Sequence, residues 1–126
     1  MTKVLYVEDD ELLRMVTTIA LEGAGYAVVE AHHGAQALEV LEYEGGFDFV
    51  VSDISMPGAV SGMDVAVAAE RARPGCRVVL VSGYASAQIP MLPDTVSYLG
   101  KPFRVQQLLD LLAGDRNAGT GVPGLG

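Results

Sequence analysis

Five short runs of β-branched and aromatic residues punctuate the chain: Val4-Leu5-Tyr6-Val7, Tyr26-Ala27-Val28-Val29, Phe47-Asp48-Phe49-Val50-Val51, Val78-Val79-Leu80-Val81 and Val96-Ser97-Tyr98-Leu99. Runs of this length and make-up read as strands. The first, third and fourth are almost wholly apolar, as strands covered on both faces must be, whereas the fifth alternates like an edge strand. Segments of helical spacing lie between them. Leu12, Leu13, Val16, Ile19 and Ala20 define a first helix that stops at Gly23 and Gly25, with Asp9 or Asp10 placed to cap its start. Ala35, Ala37, Leu38 and Leu41 define a second, ended by Gly45-Gly46, and Val65 to Ala72 a third, ended by Pro74-Gly75. The fourth is stunted, because Pro90 and Pro93 leave room for little more than a turn after Ser86-Ala87-Gln88-Ile89. A fifth runs from about Arg104 through Leu108, Leu109 and Leu112 to Gly114. The alternation predicts an α/β domain of (βα)₅ type over residues 1–113, a doubly wound parallel sheet of five strands with layered helices. Residues 114–126 are Gly-rich, carry only Val122 and Leu125 as large apolar groups, and read as a flexible tail or linker.

Composition narrows the function classes. With 126 residues, half of them hydrophobic, the chain buries a sufficient core without disulfides or a structural metal. The single cysteine, Cys76, has no partner for either and reads as an inert thiol in a reducing, cytoplasmic setting. Charged residues from Lys3 to Arg14 rule out a signal peptide and a membrane span in that region. A net charge of −8 repels nucleic acid, and the basic residues are scattered apart from Arg71, Arg73 and Arg77, so no direct nucleic-acid partner is expected.

In open parallel sheets the functional groups gather at the carboxyl ends of the strands. Strand one leads there into Glu8-Asp9-Asp10, strand three into Ser52-Asp53, strand four into Ser82-Gly83 and strand five into Gly100-Lys101-Pro102. Singly, each has a bland reading: an acidic helix start, a strand-end hydroxyl, a surface lysine. Asp53 is harder to explain away, since it follows an apolar central strand, where an unpartnered carboxylate is costly to keep ionised. If strands one and three are neighbours, Glu8, Asp9 and Asp53 converge, and two carboxylates ~4 Å apart repel by about 4 kcal/mol at an effective dielectric near 20. A hard divalent cation such as Mg²⁺ suits an all-oxygen cluster of this kind. A metal site, the Lys101 ammonium, the Ser82 hydroxyl and an Asp53 nucleophile together make the parts list for phosphoryl transfer.

Four segments then resemble, in the right order, the receiver domain of bacterial two-component response regulators, over about residues 3–113: VLYVEDDELLR, VVSDISMPG, VVLVSGYA and YLGKPF. The resemblance implies a flavodoxin-like strand order 2-1-3-4-5. It implies that Asp53 accepts a phosphoryl group from a phosphohistidine, and that Asp9, Asp53 and the Ser55 backbone carbonyl ligate Mg²⁺ with help from Glu8 through water. Ser82 and Lys101 would hold phosphoryl oxygens, the Lys101–Pro102 bond would be cis, and Tyr98 would swing inward as Ser82 moves toward the phosphate. Ser55 and Tyr84 occupy the positions that tune phosphoryl lifetime. The implied partners are a histidine kinase or histidine phosphotransfer protein and a downstream protein target. The chain would thus be a signalling switch that modifies its own Asp53, not a stand-alone enzyme.

Two features depart from the commonest pattern. The loop Gly58-Ala59-Val60-Ser61-Gly62 is one residue longer, as in many hybrid-kinase receivers. The stunted fourth helix carries no charged residue and cannot supply a salt-bridged dimer face, so at most a weak homodimer is expected and output falls to protein contact or phosphorelay. Three rivals fit less well. A flavin phosphate would be repelled by Glu8-Asp9-Asp10. An aspartate-nucleophile phosphatase places a second Asp two residues beyond its nucleophile, which neither Asp9 nor Asp53 has. A degenerate receiver acting as a phosphorylation-independent interaction module has no need of an intact Asp9, Asp53, Ser82 and Lys101. His32 and His33 read as a solvated loop, and Met56 as packing.

Overall fold

The computed structural model describes residues 1–83 and 95–114. Five parallel strands, β1 (Lys3–Val7), β2 (Ala27–Ala31), β3 (Phe49–Asp53), β4 (Arg77–Ser82) and β5 (Val96–Gly100), form one sheet in the order β2-β1-β3-β4-β5. Among the described residues four helices accompany them: α1 (Glu11–Gly23), α2 (Gly34–Tyr43), α3 (Gly62–Ala72) and α4 (Val105–Leu112). This is the doubly wound, flavodoxin-like arrangement expected from the sequence. The helix α4 is the one predicted as the fifth; the stunted fourth, and the tail beyond Gly114, lie outside the described residues.

The sheet separates two apolar layers. Leu5, Val7, Val50, Val78 and Leu80 pack with Ala37 and Leu41 of α2 and Val65, Ala66 and Ala69 of α3. On the opposite face Val4, Tyr6, Val51, Val79, Val81 and Leu99 pack with Leu21 of α1 and Leu108, Leu111 and Leu112 of α4. Strands one, three and four are buried on both faces, which is why they read as continuous apolar runs.

Element boundaries shift from the sequence reading where side chains capture the backbone. The third strand was expected over Phe47–Val51 but runs from Phe49 to Asp53. Pairing with β1 starts at Val4↔Phe49, while Asp48 is held at the start of β1 by its own N–H to the Lys3 carbonyl and by the Lys3 N–H to its carboxylate. At the far end, Asp53 pairs with Val81 and so remains in the sheet. The second strand begins one residue later than expected, at Ala27, and extends to Ala31. Helix α3 begins at Gly62 because Ser61 and Asp64 form a reciprocal capping box ahead of the predicted Val65.

Helix α1 forms where its apolar spacing predicts, and Asp10, not Asp9, caps it by accepting from the Leu13 N–H. Its orientation is unexpected. The residues turned inward are Arg14, Thr17, Thr18 and Leu21, whereas Leu12 (65% exposed), Val16 (47%) and Ile19 (63%) face outward. Gly25 completes the turn out of the helix at φ +100°, a backbone conformation that side-chain-bearing residues rarely adopt.

Candidate functional site

Parallel strands deliver their carboxyl ends to one edge, and the order β1-β3-β4-β5 puts Glu8 and Asp9, Asp53, Ser82 and Lys101 along it. Glu8 is 1% exposed, Asp53 5% and Ser82 4%, while Asp9 is open to solvent. One carboxylate oxygen from each of Glu8, Asp9 and Asp53 falls within 4.8 Å of the other two. The Lys101 ammonium closes the cluster, 2.9 Å from Asp53 Oδ2 and 3.1 Å from Glu8 Oε1.

The charges here do not balance. Burial, then the neighbouring Asp53, push the Glu8 carboxyl up to about 7, even though the Asp10 N–H donates to Glu8 Oε2 at 3.1 Å and Lys101 pairs with it. Burial pulls the Lys101 ammonium down, but its hydrogen bond to Asp53 and the charges of Asp53 and Glu8 outweigh that and hold it above the ordinary lysine value. One lysine against three carboxylates leaves a deficit of positive charge. The donor set is all oxygen, so the residues fit a hard divalent cation and offer nothing to a soft one.

The backbone beneath the site is tightly held. Ile54 N–H donates to the Val81 carbonyl, Gly62 N–H to the Ile54 carbonyl, and Lys101 N–H to the Ser82 carbonyl at 2.8 Å. Gly62 approaches so closely that a Cβ on it would lie 2.1 Å from the Asp53 carbonyl oxygen. In the sequence Gly62 only closes the loop after the third strand; in the fold, it is the residue that lets α3 start against the Asp53 end of β3. The Tyr98 hydroxyl donates to the Ser82 carbonyl at 3.4 Å, which ties the edge strand to β4. The Lys101–Pro102 peptide is cis.

Other predicted residues fall around this centre. Ser55 is exposed in the loop after β3. Tyr84 lies outside the described residues. His33 is more than a loop residue: its Nδ1 caps α2 by accepting from the Gln36 N–H at 3.2 Å. Asp9, His32, His33, Pro57, Gly58 and Val60 border a depression of about 450 Å³ beside the acidic cluster. Arg14 was missed altogether. It is 7% exposed and reaches back to the Glu8 main-chain carbonyl at 2.8 Å. Its position on a helix gave no signal, because apolar spacing marked the opposite face. Away from the site, burial raises the Cys76 thiol to about 11, which fits an inert cysteine. Among the described residues, no helix is long and apolar enough to cross a membrane.

Comparison with known proteins places this geometry. The sensor kinase CckA of Brucella abortus is 40% identical over 109 residues, 83% of this chain but only 11% of that kinase. The response regulator receiver protein CpdR of the same organism is 32% identical over 115 residues, covering 87% of this chain and 92% of CpdR. The crystal structure of the response regulator protein TrrA from Thermotoga maritima, solved in complex with Mg²⁺ and BeF, superposes with a TM-score of 0.76 at 26% identity, covering 90% of this chain and 97% of TrrA. The model of the response regulator receiver domain matches residues 4–113, and the chain belongs to that family, the receivers of two-component signalling.

Proposed function

We propose that this receiver is a phosphorylation-dependent switch in which Asp53 accepts a phosphoryl group from a phosphohistidine. The observation that carries this reading is the convergence of Glu8, Asp9 and Asp53 within 4.8 Å, with the Lys101 ammonium 2.9 Å from Asp53 Oδ2. In the transfer, an Asp53 carboxylate oxygen forms the new O–P bond as the P–N bond to the imidazole breaks. The departing nitrogen keeps the bond's electron pair and takes up a proton from solvent. Asp9, Asp53 and the Ser55 backbone carbonyl would hold Mg²⁺, with Glu8 acting through water. When bound, the ion neutralises the attacking carboxylate and the phosphoryl oxygens.

The protein's own groups supply the remaining positioning. Lys101 releases Asp53 Oδ2 and pairs with a phosphoryl oxygen, and the Ser82 hydroxyl donates to another. Movement of Ser82 breaks the hydrogen bond that its carbonyl accepts from Tyr98, so the Tyr98 ring turns inward and the β4–β5 edge repacks around the new charge. Ser55 and Tyr84 stand at the sequence positions, two beyond Asp53 and two beyond Ser82, that set the lifetime of the aspartyl phosphate in the family. The donor is a histidine kinase or histidine phosphotransfer protein, and the output is contact with a downstream protein or onward relay.

Intact-mass measurement after incubation with Mg²⁺ and acetyl phosphate tests the reading. A single phosphoryl adduct is expected, absent in Asp53→Asn and absent with a chelator. If no adduct forms and beryllofluoride does not bind in the presence of Mg²⁺, the chain is a phosphorylation-independent interaction module.

A further inference from the structure

We propose that Arg14 is a positioning residue for the acidic pair, holding the turn from which Glu8 and Asp9 reach the metal; this rests on the reading of that cluster as a Mg²⁺ site. A guanidinium is rarely buried without a specific set of acceptors, because removing it from water is expensive. Arg14 finds two. Its Nη1 donates to the Glu8 main-chain carbonyl at 2.8 Å and its Nε to Glu30 Oε1 at 3.1 Å. The two bonds differ in weight. Glu30 is 42% exposed, so that pair is largely screened by solvent and serves mainly to aim the guanidinium. The bond to Glu8 lies in the buried interior and is the one that acts on the site.

The chain from Val7 to Glu11 shows what that bond controls. Glu8 N–H donates to the Ala31 carbonyl at 3.1 Å, which fixes one side of the residue to β2. Its carbonyl is the hinge into Asp9, whose side chain faces solvent. The Val7–Glu8 peptide is held by the Ala31 carbonyl and, with Arg14 in place, the Glu8–Asp9 peptide is held through its carbonyl by the guanidinium, so the Asp9 Cα is set relative to Asp53. Without it, the carbonyl loses its buried donor and the peptide is free to rotate toward water. Asp9 would then leave the cluster while α1 and β1 remained folded. The orientation of α1, with Arg14 turned inward and an apolar stripe turned outward, follows from this requirement. Lys at this position has the charge but not the planar fork that serves two acceptors at once.

The test compares wild type with Arg14→Met, Arg14→Lys and Glu30→Gln. Mg²⁺ affinity is measured by titration calorimetry, and the Mg²⁺ dependence of acetyl-phosphate labelling by intact mass. Arg14→Met is expected to weaken Mg²⁺ binding by about 10-fold, the size of effect typical of residues behind a metal ligand, with labelling recovered at saturating Mg²⁺. Arg14→Lys should fall between, about threefold, and Glu30→Gln within about twofold of wild type. A merely structural role would lower the melting temperature and leave the Mg²⁺ midpoint of the folded protein unchanged, and that result overturns the proposal. Should Arg14→Met fail to fold, Arg14→Lys decides: a raised midpoint supports the role and a wild-type midpoint removes it. Wild type that binds Mg²⁺ but takes no phosphoryl group would defeat the switch reading and leave calorimetry to judge Arg14.

Discussion

Acidic side chains stand at both ends of β3, and the fold treats them in opposite ways. Asp48, just before the strand, accepts the Lys3 backbone N–H at 2.8 Å and pairs with Arg73, and these two donors hold its carboxyl below the ordinary aspartate value. At the other end Glu8 is buried beside Asp53, and its carboxyl is pushed up to about 7. The first arrangement satisfies a charge with donors from the chain itself and stabilises the fold. The second gathers like charges with one lysine among them and costs stability. A carboxylate kept in the second condition marks a site shaped for something that binds, which on the proposed reading is a cation and a phosphoryl group.

The contrast can be broken most forcefully at Lys101. Lys101→Met removes the ammonium that Glu8 and Asp53 share and leaves two buried carboxylates facing each other. Urea unfolding followed by circular dichroism, the chain having no tryptophan, is expected to show a loss of about 2 kcal/mol at about pH 8. The loss shrinks at about pH 5.5, where Glu8 already carries a proton. An equal loss at both pH values would mean that Lys101 acts by packing and not by charge.

Glu8→Gln attacks the same end with the opposite sign. The folded protein, with the Glu8 carboxyl at about 7 against an ordinary value of 4.5, keeps a proton that the unfolded chain releases between those values. Stability therefore falls progressively as pH rises through that window. Glu8→Gln should be more stable than wild type by about 1–2 kcal/mol at about pH 8 without metal, and no more stable at about pH 4.5. Added Mg²⁺ narrows the gap, because wild type gains stability from binding. A gain that does not vary with pH would show that desolvation of Glu8 is not its source.

How much of this was legible in the sequence depends on which forces fix each part. The strands and their order of burial were readable because Val4–Val7, Val50–Val51 and Val78–Val81 are apolar on both faces, and only a sheet covered on both sides accepts that. The convergence of Glu8, Asp9, Asp53 and Lys101 was readable because topology brings strand ends together whatever the side chains between them. Orientation of α1 was not readable. Leu12, Val16 and Ile19 carry the helical period yet face solvent, while Arg14, Thr17 and Thr18 face the sheet. Periodicity shows that a helix has two unlike faces; it does not say which one the tertiary structure turns inward. Helix α4 lies on the same side of the sheet and buries Leu108 and Leu112 as the pattern suggests, with Leu111 also buried and Leu109 only partly so. The difference lies in their neighbours: α1 starts directly after Glu8–Asp10 and supplies a donor to that turn, whereas the buried face of α4 packs into an apolar layer with Leu21, Val79, Val81 and Leu99. His33 as a cap for α2 and Gly62 against the Asp53 carbonyl escaped notice for a related reason, since both roles depend on contacts made in space.

The smallest expected effect sharpens the contrast from its satisfied end. Asp48→Asn keeps an oxygen for the Lys3 N–H but loses the charge that attracts Arg73. Both partners are at the surface, with Arg73 46% and Asp48 32% exposed, so the pair is worth below about 1 kcal/mol. Because the folded value of Asp48 is depressed, its contribution is present at neutral pH and is lost as the pH falls below the ordinary value of 3.8 and through the folded one. The wild type and Asp48→Asn should therefore differ slightly at pH 7 and converge in acid, and added salt should close the gap at neutral pH. This is the reverse of the Glu8 profile, where replacing the acid helps at high pH. Should both substitutions change stability in the same direction at neutral pH, the two ends of β3 would be alike, and the elevated Glu8 would no longer single out the carboxyl end as the place where charge is held in readiness for a ligand.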